Sequence, residues 1–555
     1  MSGLDVDAAL SLRFKEAKLP SRILRRRRGR RTKASRQHSA SALAQFALLA
    51  IMSGCDAGDR STPATMVVPS ASTVPTHEFD RGDRPPNVVL IIADDLGVGS
   101  VGSYGQELIA TPRLDALAAE GMRFASFHSG GDACSSSRAT LLTGLHTGHA
   151  YIRGNFDLPD GGQLPLPAGT VTLARLLQDA GYETAMIGKW GLGDAGSEGE
   201  PSRQGFDYTF GYLNQVLAHN SYPEFLWRNG ERVPLRNVAT YVDVKPEFGG
   251  LASYSTVKTD FAADLITAEA ESFIEQNAAR PFFLYLAYTA PHTNGDAPVG
   301  QRVEVPSYSG YEDRLWPDEY KAYAALVTRL DSDVGRILDR LEKLGLEDET
   351  LVVFTSDNGA PAIPLTHFFD ANGGLRGGKF SLYEGGLVVP LIVRWPGHVV
   401  AGGQSGQPAA LWDLFPTIAE AAGVANLPAI DGVSLLPTLF GSTPPQRSQP
   451  LYWESQTRGG TIVVHDGRWK GLYFGEHNLF ELFDVESDPL EITDRSAENP
   501  AVVAALLESM RASHTSSELF PVLPTERSYR HQIRRLAKAI YRRTWSPDLW
   551  PEAPE

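Results

Sequence analysis

One of the chain's two cysteines, Cys134, stands four residues before an arginine in Cys134-Ser-Ser-Ser-Arg138-Ala-Thr-Leu-Leu-Thr143-Gly144. The residues before it, His128-Ser-Gly-Gly-Asp-Ala133, are small and loop-like, whereas Ala139 to Leu142 suits a helix. A cysteine at such a helix start lies near backbone N–H groups that have no partner within the helix, with a guanidinium one turn further on. That setting favours an anionic centre, or a nucleophile directed at an anionic substrate. The plainer alternative is a small apolar side chain packed in a core.

Other clusters carry complementary chemistry. Asp94-Asp95 and Ser356-Asp357-Asn358-Gly359 supply four hard oxygen donors. Carboxylates gathered in one place repel each other and call for a cation, and an oxygen set favours Ca2+ (ahead of Mg2+) over zinc. Taken alone, an Asp-Asp pair serves equally well as a turn or helix cap. Gly188-Lys189-Trp190-Gly191-Leu192-Gly193 and Leu375-Arg376-Gly377-Gly378-Lys379 place lysines in glycine-rich loops, where a substrate can approach the backbone closely. Either lysine alone reads as a solvated surface charge. His292 follows Ala290-Pro291, and alone it reads as an ordinary packed histidine.

The elements that must position these residues are legible as apolar runs ending in polar groups. Asn87–Ile92 leads into Asp94-Asp95, Thr184–Ile187 into Lys189, Phe282–Tyr288 into His292, and Leu351–Thr355 into Asp357-Asn358. Continuous runs of this length, alternating with helical patterns, predict strands covered on both faces in an α/β sheet. Thr111-Pro112 opens a helix as N-cap and first turn, with Gly121 closing it; another begins near Thr172 and ends at Gly181. Ligands in such sheets gather at the carboxyl ends of the strands, so the four clusters are expected to converge on one site.

Taken together, these motifs resemble the sulfatase family. The Cys134 stretch is similar to the family signature Cys-x-Pro-Ser-Arg followed by Leu-Thr-Gly, with Ser136 standing where the family has proline. The Asp-Asp, Asp-Asn-Gly and Pro-His motifs resemble the family's, as does Lys379 followed by Tyr383-Glu-Gly-Gly386 and Val389-Pro390. The resemblance spans about residues 86–515. It implies an alkaline phosphatase-like fold: a large mixed, mostly parallel sheet covered by helices, plus a small C-terminal domain with an antiparallel sheet and a helix. It further implies that a formylglycine-generating enzyme oxidises Cys134 to formylglycine, whose hydrate is the nucleophile. Asp94, Asp95, Asp357 and Asn358 would bind Ca2+ together with the modified Cys134. Arg138, Lys189, His292 and Lys379 would be catalytic, and Asp357 would act as base on the attacking hydroxyl. The implied reaction is hydrolysis of aryl or carbohydrate sulfates to an alcohol and inorganic sulfate. One departure is Gly191, where many sulfatases have a histidine two residues after the lysine; a bacterial subset shares Gly-Lys-Trp-Gly. His146, His149 and His219 are the candidates to replace that histidine, and sequence does not rank them.

The ends of the chain differ from its middle. Arg22 to Arg36 is strongly basic, Ala42 to Met52 is apolar but too short to span a membrane, and Met52-Ser-Gly-Cys55 resembles a bacterial lipobox. Residues 1–54 therefore read as an export signal leaving Cys55 as a lipid anchor, which predicts a periplasmic or cell-surface protein touching the membrane only there. An unmodified Cys55 after ordinary cleavage is the alternative. Residues 55–85 are rich in Ser, Thr and Pro and read as a flexible linker, 86–441 as the catalytic domain, 442–520 as the small C-terminal domain and 521–555 as a basic, aromatic tail. Residues 1–54 carry twelve Lys/Arg and three Asp/Glu, so their loss takes the formal net charge from −15 to −24. So acidic a chain argues against nucleic acid as a partner.

Two other readings remain open at this level: a phosphate or phosphonate esterase on the same fold, and a protein that binds sulfated glycans without cleaving them. The sulfated small molecule or glycan is likewise not identified. Tyr212, Tyr222, Trp227, Tyr311 and Trp316 fit sugar stacking or ordinary packing equally.

Overall fold

Five apolar runs form the parallel heart of a ten-stranded sheet in a computed structural model that describes residues 84–526, apart from 157, 159–161 and 243–251. The export segment with Cys55, nearly all of the linker and the tail beyond Glu526 lie outside the described residues. Thr350–Ser356, Asn87–Ala93, Phe282–Ala287, Glu183–Lys189 and Tyr208–Tyr212 pair side by side in that order. Every residue of Asn87–Ala93, Phe282–Ala287 and Thr350–Ser356 is buried, as strands covered on both faces require.

The sheet turns antiparallel towards both edges. Leu391–Arg394 runs against Thr350–Ser356 and Met122–Phe124 against Leu391–Arg394. Gly403–Ser405 lies parallel to Met122–Phe124 at that edge. At the other edge a hairpin joins Phe225–Arg228 to Glu231–Pro234. Its turn is Asn229-Gly230, both at positive φ (48° and 82°), the backbone that a two-residue hairpin turn demands.

Register places the chemistry. Ile92 pairs with Thr355 on one side and Ala287 on the other, and Ala287 pairs with Gly188. The carboxyl ends of four strands therefore stop at one level, and Asp94, Asp357, His292 and Lys189 follow within a few residues. Helices Ala262–Asn277 and Asp318–Lys343 lie side by side over the sheet, linked by Arg336–Glu271 and Arg340–Glu275 pairs at 2.5 and 3.4 Å.

The helix over Pro112–Glu120 forms as expected, but its N-terminus is satisfied differently. The Thr111 hydroxyl accepts from Gly102 N instead, and Asp331, from the long helix, accepts from both Arg113 N and Leu114 N at 2.9 and 2.8 Å. No local sequence rule reaches a cap 218 residues away. Thr172 does cap Leu173–Asp179, accepting from Arg175 N.

Beyond the large sheet, Leu451–Ser455, Thr461–His465, Trp469–Phe474 and Leu479–Asp484 form an antiparallel meander, followed by helix Pro500–Ser513. The Thr461–His465 strand is buried at all five positions and lacks the alternation of a half-exposed strand. This sheet braces the loop before Cys134. Trp453 Nε1 donates to Ser129 O at 2.8 Å, and Ser455 and Thr457 hydroxyls donate to the Asp132 carboxylate at 2.7 and 2.9 Å.

Candidate active site

The helix carrying the cysteine spans Cys134–Thr143, and all ten of its residues are buried. Gly144, at φ 69°, ends it with its N–H on Thr140 O. Gly130 and Gly131 precede it because a Cβ there would sit 1.7 Å from Thr140 Oγ1 or 2.3 Å from Ser136 Oγ. Ser136 fits the first turn: its hydroxyl donates to Ala133 O at 2.9 Å.

The structure brings all nine predicted site residues together. Cys134 Sγ lies 3.3 Å from Asp94 Oδ1 and 3.4 Å from Lys379 Nζ. Lys189 Nζ sits 2.6 Å from Asp94 Oδ2, and Arg138 clasps Asp357 Oδ2 through its NH2 and Nε at 2.8 and 3.2 Å. Lys379 Nζ lies 2.7 Å from Asp95 Oδ1 and 3.1 Å from His292 Nε2. Ligand atoms of Asp94, Asp95, Cys134 and Asp357 fall within 4.8 Å of one another. Asn358 Nδ2 donates to Asp95 Oδ1 at 2.7 Å, which leaves its buried Oδ1 with no hydrogen-bond partner. Three clustered carboxylates and an orphaned amide oxygen fit a hard divalent cation.

The charge state of Cys134 differs from the expectation. Burial, then the Asp94 carboxylate, push the thiol well above its ordinary pKa, against the pull of Lys189 and Lys379. The helix start and Arg138 do not make a thiolate, because the carboxylates face the sulfur and Arg138 is spent on Asp357. A neutral buried thiol is a poor nucleophile. Burial alone would raise Asp94, but the cations Lys189, Arg138 and Lys379 together hold it well below the carboxylate range. Asp357 goes the other way, raised to about 6 by burial and by Asp94. Burial and the adjacent Lys379 ammonium keep His292 neutral.

Position separates the three candidate histidines. His146 and His149 stack on each other at 4.3 Å, and His149 Nδ1 lies 2.9 Å from Asp431 Oδ1; neither lines the site. His219 does line it, stacked on His292 with ring centroids 4.5 Å apart and its Nδ1 3.2 Å from Asp296. Beside Gly191 (φ 82°) the space is taken by Gln215, 3.7 Å from where a Cβ would stand, its Oε1 accepting from Ser135 Oγ at 2.7 Å. Gln215 was missed because nothing in its local sequence distinguishes it. The five aromatic residues left open are resolved as packing: Tyr212, Tyr222, Trp227 and Tyr311 are buried, and Trp316 packs on Tyr311 and Phe369.

A cavity of about 580 Å³ opens from Cys134, Lys189 and Lys379 past Gln215 and His219 to Phe380. Its base brings Cys134 together with two buried ammonium groups, Lys189 and Lys379, and with His292, a set suited to displacement at an anionic tetrahedral centre.

Comparison with known proteins agrees with this geometry. The sequence model of the sulfatase family matches residues 86–424, and that of the N-sulphoglucosamine sulphohydrolase C-terminal region matches 377–515. The chain is 33% identical to steryl-sulfatase of Mus musculus over 460 residues, covering 70% of this chain and 71% of the relative. It is 35% identical to arylsulfatase A of Bos taurus over 427 residues, covering 73% and 78%. Among solved structures it resembles Ps i-CgsB in complex with k-i-k-neocarrahexaose, with 28% identity and a TM-score of 0.67 over 82% of this chain and 100% of that one. The convergence of strand ends on Cys134 and the breadth of these matches lead to one conclusion: the chain belongs to the sulfatase family, whose fold is alkaline phosphatase-like, and is a sulfuric ester hydrolase.

Proposed function

We propose that the protein hydrolyses carbohydrate or aryl sulfate esters with a formylglycine made from Cys134. The observation that carries the reading is the buried Cys134 side chain, 3.3 Å from Asp94 and 3.4 Å from Lys379, at the point where Lys189 and Arg138 also converge. A thiol kept protonated would serve poorly, whereas the two hydroxyls of an aldehyde hydrate at the same position would not need a thiolate.

One hydroxyl of the hydrate passes its proton to Asp357, the carboxylate that Arg138 holds at 2.8 Å, and forms a bond to sulfur. The sulfur–oxygen bond to the alcohol breaks, and Lys379, hydrogen-bonded to His292, gives the departing oxygen its proton. Lys189 and Arg138 hold the charge on the non-bridging oxygens. The second hydroxyl then gives its proton to Lys379, which regains its charge, as the carbonyl re-forms and the carbon–oxygen bond to sulfate breaks; water rehydrates the aldehyde and Asp357 releases the first proton. Asp94, Asp95, Asp357, Asn358 and the modified Cys134 would hold a Ca2+, which supplies positive charge that lowers the pKa of the attacking hydroxyl. The relative seen with k-i-k-neocarrahexaose supports a carbohydrate substrate. We also infer export with a lipid anchor at Cys55, which metabolic labelling with palmitate would test.

The test is the mass of the Cys134 peptide after co-expression with a formylglycine-generating enzyme. A loss of about 18 Da, accompanied by turnover of 4-nitrophenyl sulfate that EDTA abolishes and Ca2+ restores, is expected. Full turnover by a protein whose Cys134 remains a thiol would overturn the reading.

A further inference from the structure

We propose that a second, neutral sugar ring binds beside the sulfated one, in a cavity adjoining the catalytic one, with Phe380 as the platform between them. This presupposes that the first cavity takes a sulfate ester. The second cavity measures about 300 Å³, and the two share Asp132, Phe380, Ser455 and Thr457 as a common wall. Both volumes fall in the range of about 300–1,000 Å³ usual for ligand sites.

Phe380 is the residue that has no other reason to be as it is. It directly follows Lys379, the residue is 41% exposed, and its backbone is left-handed at φ 65°, a conformation unfavourable for a bulky side chain. The loop enforces this: Phe380 N donates to Asp132 O at 2.8 Å and Lys379 N to Ala360 O at 3.1 Å. The ring centroid lies 5.5 Å from the Lys379 ammonium, so anything resting on the ring is next to the group that meets the leaving oxygen. Since the leaving group of a sulfated sugar is the sugar itself, the rest of a longer saccharide continues from there over Phe380.

The second cavity is shaped for such a continuation. Phe474 and the exposed Leu479 offer apolar surface, and Thr461, His477 and Glu481 offer hydrogen-bonding groups at intervals, the mixture that a sugar's C–H face and hydroxyls require. Glu481, which accepts from Tyr383 OH at 2.6 Å and lies 3.9 Å from Arg376, and Asp132 put two carboxylates and neither lysine nor arginine in the lining, which disfavours a second sulfate there. The ring it receives is therefore a neutral hexose. The small C-terminal sheet thus does more than brace the nucleophile's loop, since it contributes a wall of the substrate site.

The experiment compares kcat/KM for a panel of monosulfated monosaccharides with the same rings extended by one neutral hexose, using 4-nitrophenyl sulfate as a substrate confined to the first cavity. At least a tenfold gain from the extra ring is expected for the productive isomer. That gain should fall below about threefold in Phe474→Ala and in Phe380→Gly, the latter relieving the backbone strain while removing the ring. Equal kcat/KM at both lengths, or a gain untouched by both variants, overturns the subsite while leaving sulfatase activity intact. If no sulfate ester is cleaved, the reading of the first cavity fails instead. The subsite is then judged by titrating Cys134→Ala protein with both lengths, where equal affinities reject it.

Discussion

Replacing Lys189 with methionine preserves the volume of a side chain that is 1% exposed and removes the charge 2.6 Å from Asp94. Breaking a buried pair by deleting one partner costs about 3–5 kcal/mol, because the other charge is left uncompensated. Asp94 has an escape, which sets a ceiling: it can take up a proton. For a carboxylate of ordinary pKa about 3.9, that costs about 4 kcal/mol at pH 7 and about 1.5 kcal/mol at pH 5. In the wild type Asp94 is held below its ordinary value, so its stabilising contribution is present at neutral pH and is lost as pH falls through the folded value. That loss lies below pH 5 in the wild type, so between pH 7 and pH 5 the deficit shrinks because the variant's unpaired Asp94 takes up a proton. Urea unfolding in EDTA, followed by tryptophan fluorescence, should therefore show Lys189→Met destabilised by about 3–4 kcal/mol at pH 7 and by about 1.5 kcal/mol or less at pH 5. A deficit below about 1 kcal/mol at pH 7, or one that is the same at both pH values, would refute the reasoning. It would mean that Arg138, 4.0 Å from the same carboxylate oxygen, and Lys379 already neutralise Asp94 without help.

Two further outcomes follow from groups outside the cavity. Asp194 is raised to about 6 by burial, although it accepts from Gln163 N and Asn214 Nδ2 at 3.0 and 3.2 Å. Its folded pKa lies above its unfolded one, so it favours the fold below about pH 4 and that contribution is lost as pH rises through about 6. Asp194→Asn should cancel a loss on the order of 3 kcal/mol between those limits, read as the difference between variant and wild-type urea curves; parallel curves would contradict it. His149→Ala removes one hydrogen bond to Asp431 and should cost about 1 kcal/mol of stability while kcat/KM for 4-nitrophenyl sulfate stays within about twofold. A tenfold loss of activity would place that histidine in catalysis after all.

What could be read from the sequence is what strands make local. An apolar run buried on both faces announces itself over six or seven residues, and its last residue tells where a ligand group will emerge. Asp94, Lys189, His292 and Asp357 were found in that way. The charge state of Cys134 could not be, because it is set first by burial and then by Asp94, 40 residues away, both of which exist only once the chain has folded. His219 was indistinguishable from His146 and His149 for the same reason: all three follow ordinary loop sequence, and only one is carried to His292. Phe380 was invisible because its signal is a positive φ imposed by Asp132, which no residue type encodes.

The arrangement of charge then explains how a strongly acidic chain can handle an anion. Asp94, Asp95 and Asp357 face Lys189, Lys379 and Arg138, three against three, so the cluster is neutral by itself and each cation is held in place by a carboxylate. Such a cluster attracts a sulfate weakly from afar, and the chain's net charge of −15 repels it. Attraction begins only at contact, and the proposed divalent cation would strengthen it by taking over the carboxylates and freeing the lysines for the substrate. Metal loading and sulfate affinity would then be coupled through the same three acids. Because that exchange would take place among buried groups, salt would weaken it little. Recognition of the remainder of the substrate has to come from uncharged contacts, which is the role left to the walls running from Gln215 to Phe380 and beyond.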